Sequence, residues 1–221
     1  LTGGAPPPGH LRVLTTLLAM DGPPEGRELP PPPRPGVVLL QVRPTLRHYR
    51  HLYDAVGEPW LWYGRRAMPQ AELEAWLASP DMELWVPHVH GVPAGMAELD
   101  RRDPDACRLA YLGLVPEFVG RGLGPWLLDH AVHRAFAGGA RRLTVSTCSL
   151  DHPAALGTYL KAGFRVTERI DAFEADPRLA GWLPRSAGLH VPLAEGELAP
   201  DVVNPAGVNP AGVSPGTADP G

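Results

Sequence analysis

Apolar residues along this chain cluster in short runs and amphipathic stretches, with glycine and proline at the joints. Residues 37–42 form an apolar run that predicts a buried strand. Pro44 opens a helix reaching residue 56, and Gly57 ends it. A loop over residues 57–68 follows, then a helix over 69–78 with Leu73, Trp76 and Leu77 on one face. Residues 82–89 and 93–99 predict a hairpin around His90 and Gly91, and 108–115 a further strand. Helical periodicity over 122–137 stops at Gly138 and Gly139. A strand over 143–148, a helix over 153–162 ended by Gly163 and a strand over 164–170 complete the core, with 189–193 a candidate closing strand. The strand–helix–strand unit over 108–148 requires parallel strands joined by a right-handed crossover. The expected fold class is therefore α/β: a mixed central sheet with helices on both faces.

The ends differ from this core. Residues 1–10 and 22–36 are rich in proline and glycine, and 11–20 between them can supply one short extra strand. The last residues repeat Asn-Pro-Ala-Gly-Val at 204–208 and 209–213, too little to build a repeat fold. The expected division is an N-terminal arm over 1–36, a folded domain over 37–195 and a low-complexity tail over 196–221. A net charge of −4 and a pI of about 6.1 argue against nucleic acid or an anionic membrane as partner and leave cationic amines open. Cys107 and Cys148 provide neither a disulfide framework nor metal spacing. No stretch reads as a signal peptide or membrane span, so the cytoplasm is the expected compartment. Lys161 is the only lysine beside many arginines and 28 prolines, a composition that fits GC-rich bacterial coding.

The stretch LGLVPEFVGRGLGPW, from Leu112 to Trp126, carries the most chemical information. A strand ends, a glycine-rich turn follows, and a helix opens at once. Gly120, Gly122 and Gly124 let backbone amides approach an anion closely at a helix N-terminus, where the helix dipole also favours negative charge. Arg121 adds a positive charge, and Pro125 falls in the first helical turn, where a missing N–H costs little. The reading is a cradle for phosphate or pyrophosphate. The sequence has no P-loop signature, and Pro125 stands where a dinucleotide fingerprint needs its last glycine.

The window from Val119 to Gly124 resembles motif A of the GCN5-related N-acetyltransferases (GNAT), Q/R-x-x-G-x-G/A, with Val119 in place of the polar first residue. The later stretch ALGTYLKAGF, from Ala155 to Phe164, is similar to the family's motif B, A-x-x-x-Y-x-x-x-G-F. His152 stands where the family often has asparagine. The resemblance implies the acyl-CoA N-acyltransferase fold, with acetyl-CoA in a wedge between the strands over 108–115 and 143–148. It implies cofactor contacts from Leu114, Val115, Gly120, Arg121, Gly122, Leu123 and Gly124, and from the loop carrying Asp151 and His152. It implies no metal, and it is compatible with a homodimer.

The activity so implied is transfer of an acetyl group to a primary amine, of a small molecule or a peptide, by direct attack in a ternary complex. Such an amine is only roughly 0.04 % neutral at pH 7, so a base is useful. The oxyanion needs donors, which backbone amides near Leu114 and Val115 can supply. Tyr159 occupies the position of the family's general acid. The candidate base is Glu98, at the end of the strand before the wedge; the bland reading is a solvated strand-end charge, and Asp151, His152 and Glu117 are reserves. Trp60, Trp62 and Tyr63, followed by Arg65 and Arg66, form an aromatic-basic loop that can hold the acceptor or simply pack. The pairs His88/His90 and His130/His133 lack a third ligand nearby in sequence and read as ordinary histidines. The competing reading is a catalytically weak acyl-CoA sensor or partner-binding module with the same fold.

Overall fold

The computed structural model describes residues 4–24, 26 and 28–198. The expected tail over 196–221 lies outside the described residues from position 199 onward. One eight-stranded mixed sheet organises the described residues. Its strands are β1 (His10–Met20), β2 (Val37–Val42), β3 (Met82–Val89), β4 (Val92–Pro93), β5 (Gly95–Asp100), β6 (Ala106–Leu114), β7 (Arg142–Cys148) and β8 (Arg165–Ala175). Their order is β2-β3-β5-β6-β7-β1-β8, with the short β4 beside β3. Among the described residues only β6 and β7 pair in parallel, as the crossover helix between them requires.

Helices cover both faces. On one, α4 (Leu123–Ala137) and α5 (Ala155–Ala162) bury Leu123, Leu127, Ala131 and Tyr159 against Leu99, Leu109, Leu143 and Val145 of the sheet. On the other, α1 (Leu46–Gly57) and α3 (Gln70–Ala78) pack Tyr49, Tyr53, Val56 and Trp76 on Met82, Leu84, Val86 and Met96. The two-residue period of β3 and β5 divides these cores, so residues on alternate positions face opposite helix layers. Thr45 starts α1 by accepting the His48 N–H. The loop expected over 57–68 contains a 3-10 turn, Glu58–Trp60, and the short α2, Gly64–Ala67. Gly113 is needed where α1 crosses β6, because a Cβ there would lie 2.5 Å from the Val56 side chain. Among the described residues no helix is long and apolar enough to cross a membrane.

The sheet departs from the sequence reading at one end. The N-terminal strand is internal: β1 pairs antiparallel with β7 from Thr15↔Cys148 to Met20↔Leu143, and with β8 from His10↔Ala175 to Ala19↔Arg165. The closing strand expected over 189–193 is not formed. Those residues are irregular, and the place beside β8 belongs to β1. Pairing with all of β1 also carries β8 to Ala175, five residues beyond the expected end at 170. The segment after β8 folds back over the loop before α2, where Leu183 and Ala187 bury Leu61 beside Tyr63, Leu150 and Val191. It is held by Arg178, which is paired to Asp176 at 2.7 Å and donates to the carbonyls of Val191 and Pro192.

Candidate active site

Strands β6 and β7 pair only from Ala106↔Arg142 to Leu109↔Val145. Beyond that point β6 stays bonded to β5 as far as Leu114, and β7 stays bonded to β1 as far as Cys148. A bulge marks the parting. Glu98 faces Tyr111 and Leu99 faces Leu109, so Ala110 is an extra residue in β6 that bends the strand away from its neighbour. The Val115 N–H is committed to the Ala94 carbonyl at 3.0 Å. Alternation along an antiparallel pair then turns the Leu114 N–H the opposite way, toward the gap.

A cavity of about 610 Å³ fills this wedge, within the usual range for small-molecule sites. Gly120, Gly122 and Gly124 line one end, where α4 begins. Gly122 is the N-cap at φ +78° and places no side chain over the first amides of the helix. A Cβ at Gly120 would meet nothing within 4 Å, and one at Gly122 only the Pro33 side chain at 3.8 Å. The space over the turn is therefore open, and the amides and dipole of a 15-residue helix face it. That suits a pyrophosphate-bearing ligand.

Tyr159 of α5 lines the cavity, and burial, followed by the nearby Asp151 carboxylate, pushes its hydroxyl well above the ordinary range. It is a protonated donor at neutral pH. Asp151 is held in place. It accepts from Thr147 Oγ1 at 2.8 Å, from the Cys148 N–H at 2.9 Å and from Trp62 Nε1 at 3.3 Å, which ties the end of β7 to the loop before α2. The Cys148 thiol is pushed up to about 12, by burial first and then by Asp151, which disfavours the nucleophilic thiolate. Trp60 packs between His152 and His190, with ring centroids at 5.0 and 5.1 Å.

The expected residues fall into two groups. Leu114, Gly120, Gly122, Gly124, Asp151, His152, Tyr159, Trp60, Trp62 and Tyr63 all line the one cavity. Val115, Arg121, Leu123 and Glu98 do not. The Leu123 side chain is in the core, and the Arg121 guanidinium lies over the Phe118 ring at 5.7 Å.

Glu98 does not reach the cleft as the sequence reading placed it. It is fully buried under α1 and α3. Its carboxylate pairs with Arg65, accepts from the Tyr49 hydroxyl and accepts from Trp76 Nε1 at 2.9 Å. Arg65 in turn bonds Tyr49 Oη at 3.2 Å and lies over the rings of Trp76 and Tyr111 at 5.5 and 5.3 Å. Every oxygen of Glu98 is engaged, so the network fixes α2 against the sheet.

Two charged residues that the sequence reading passed over line the cavity instead. Glu174, near the end of β8, is half-buried without a salt bridge among the described residues, and burial raises its pKa. It influences Tyr63 and Cys148 electrostatically, which places it beside the aromatic loop. Arg108, on β6, is the other.

Comparison with known proteins agrees with this geometry. The model of the acetyltransferase (GNAT) family matches residues 49–164, more than half of the 221 residues. Among solved structures, a GCN5-related N-acetyltransferase from Kribbella flavida superposes with a TM-score of 0.51 at 20 % identity, covering 78 % of this chain and 63 % of its own. One from Sphaerobacter thermophilus gives 0.52 at 20 % identity, covering 76 % and 52 %. A functionally unknown conserved protein from Staphylococcus epidermidis gives 0.52 at 16 % identity, covering 76 % and 64 %. The chain thus spans about half to two thirds of the length of these structures. At such identities they show the shared fold alone. No curated protein matches the sequence. With the family model covering the strand–turn–helix cradle and the tyrosine-bearing helix together, the chain belongs to the GNAT family of acetyltransferases.

Proposed function

We propose that this protein transfers the acetyl group of acetyl-CoA to a primary amine. One observation carries the reading: the unpaired gap between β6 and β7 opens directly onto the uncapped, side-chain-free N-terminus of α4, and Tyr159 lines the same cavity. Acetyl-CoA supplies an activated thioester when bound. The α4 amides beside Gly120, Gly122 and Gly124 hold its pyrophosphate, and the strand edges of the gap hold its extended arm. The Leu114 N–H donates to the carbonyl oxygen.

Glu174 takes the place that Glu98 cannot fill. In this reading its carboxylate receives the ammonium form of the acceptor and takes one proton from it. The nitrogen lone pair then attacks the carbonyl carbon, the C–N bond forms and the C–S bond breaks. The second amine proton leaves to water, since Glu174 already holds the first, and the Tyr159 hydroxyl protonates the departing thiolate and is reprotonated from solvent. Trp60, Trp62 and Tyr63 form the wall against which the acceptor lies.

Two variants test the assignment. Tyr159→Phe is expected to lower kcat by about 10²-fold or more, with acetyl-CoA affinity by calorimetry within about twofold of the parent. An equal loss of affinity would make Tyr159 a packing residue. Glu174→Gln addresses the base. Because burial raises the Glu174 pKa, activity must rise with pH as that proton is lost. The acid limb of kcat/KM is then expected above the ordinary carboxylate value of about 4.3. The limb should disappear in Glu174→Gln, and an unchanged limb would assign it to another group.

A further inference from the structure

Proline sets the course of the N-terminal arm just before β2. Pro30, Pro31, Pro32, Pro33 and Pro35 each fix φ at about −65°, so this stretch is stiff and loses little freedom on ordering. It lies against the N-terminal end of α4. Trp126 Nε1 donates to the Pro30 carbonyl at 3.2 Å. The Pro33 side chain is what a Cβ at Gly122 would meet, at 3.8 Å. Gly36, at φ +76°, turns the arm into β2, and its carbonyl accepts the His90 N–H at 2.8 Å. The arm is thus pinned on both sides of Arg34.

Arg34 is half-buried, and its Nη2 donates to the Arg121 carbonyl at 3.3 Å. Arg43 also ends on a carbonyl, that of Ser79; what sets Arg34 apart is the peptide it holds. In a trans peptide the C=O and N–H point in opposite directions, and no cis bond occurs among the described residues. With the Arg121 carbonyl drawn to Arg34, the Gly122 N–H is turned away from the arm. Gly122 lines the cavity, and the N–H groups of Gly122, Leu123 and Gly124 have no acceptor among the described residues. Glycine makes this orientation a choice. The Gly122 angles, φ +78° and ψ 0°, are those of the third residue of a type II turn. A half-turn of the Arg121–Gly122 peptide converts it to type I at little cost. That form presents a carbonyl where an anion needs a donor. Arg34 bonds the carbonyl in one form only, so it biases the turn toward the donor.

We propose that Arg34 is a positioning residue of the phosphate cradle. Delivered by the proline arm, it clamps the Arg121–Gly122 peptide so that the Gly122 N–H is preset for the pyrophosphate of acetyl-CoA. The inference rests on the acetyl-CoA reading for the name of the ligand, but not for the anion-binding turn.

The test divides the ligand. Acetyl-CoA, acetyl-dephospho-CoA (which keeps the pyrophosphate but lacks the 3′-phosphate) and acetyl-pantetheine (which lacks both) are titrated calorimetrically into the intact protein and Arg34→Ala. The variant is expected to bind the first two about 5- to 10-fold more weakly, at low salt and at 0.5 M salt alike, and acetyl-pantetheine with unchanged affinity. In turnover the loss should fall on KM for acetyl-CoA, with kcat within about twofold. Arg34→Lys, whose ammonium can bond the same carbonyl, should recover most of the affinity. Equal loss with all three ligands would make the arm a packing element. Loss confined to acetyl-CoA would put Arg34 on the 3′-phosphate, and loss that vanishes at high salt would make it a distant charge. Each of these results, or no loss at all, overturns the proposal. ADP, a pyrophosphate without the pantetheine arm, separates the clamp from the acetyltransfer reading. Binding of ADP that weakens in Arg34→Ala supports the clamp even if no amine is acetylated, in which case only the acetyltransfer reading fails. Undiminished binding of ADP and acetyl-CoA in Arg34→Ala overturns the clamp even if acetylation proceeds.

Discussion

Replacing Glu98 with glutamine is expected to lower the unfolding free energy by about 3–5 kcal/mol, the cost of leaving one member of a buried ion pair without its partner. The carboxylate holds Arg65, Tyr49 and Trp76 together and has no exposure to solvent. A glutamine has the shape to stay in place but lacks the charge, so the Arg65 guanidinium is left buried and uncompensated. At roughly 2–4 °C per kcal/mol for a chain of this size, the midpoint of thermal unfolding should fall by about 10 °C. The loss stems from the orphaned charge more than from the absent hydrogen bonds. The double variant Glu98→Gln/Arg65→Met is therefore expected to be more stable than Glu98→Gln alone, since it removes both charges and keeps most of the volume. Burial and the adjoining Glu98 carboxylate also hold the Tyr49 hydroxyl well above its ordinary pKa, so Tyr49 cannot replace the missing anion by ionising. Urea unfolding of the three proteins decides the matter. A single variant as stable as the parent would return Glu98 to the status of an ordinary strand residue and reopen its candidacy as a base.

The contrast between Glu98 and Glu174 shows which parts of the site are legible in a sequence. The strand–turn–helix was legible because it is local: a strand end, three glycines at alternate positions and a helix opening fall within about 15 residues. The tyrosine-bearing helix was legible for the same reason, being bounded by Gly163 in a left-handed C-cap at φ +105°. The fate of Glu98 depends on Arg65, 33 residues away, and on Tyr49, 49 residues away, partners that no local pattern names. Alternation did hold a hint, since residue 98 shares its face with Met96, which packs under α1. Glu174 was missed because the last strand was ended at residue 170, and the true length of β8 is set by pairing with β1, some 150 residues earlier. The same long-range contact explains the closing strand that does not form. An N-terminal apolar run announces a strand, but not that the strand will lie between β7 and β8. Arg108 stood at the predicted start of a strand, where a charge draws no notice until the cavity it lines is seen.

Gly122→Glu is expected to weaken acetyl-CoA binding by about 100-fold or more, which corresponds to about 2.7 kcal/mol, while leaving the chain folded. Two effects oppose each other in the free protein. Gly122 has φ +78°, and a side chain in that left-handed region costs about 1–2 kcal/mol. A carboxylate at the N-terminus of α4 returns about 0.3–1 kcal/mol through the helix dipole, and the Cβ itself meets only the Pro33 side chain at 3.8 Å. The helix therefore tolerates the substitution, but the carboxylate now occupies the amides that a pyrophosphate requires and repels the ligand as it approaches. Gly122→Ala separates the two causes, because it carries the strain without the charge and should stay within about tenfold of the parent. The repulsive part of the loss should shrink between 0.05 and 0.5 M salt, where the screening length falls below roughly 10 Å; the part due to occupied amides should persist. Calorimetric titration of the three proteins at both salt concentrations resolves these contributions. Equal affinity of Gly122→Glu and the parent would place the anion elsewhere, and the glycines would then serve only to turn the chain from β6 into α4. Loss confined to the charged variant would instead make the α4 N-terminus the point from which the cofactor is held, with Tyr159 and Arg108 ranged along the same cavity.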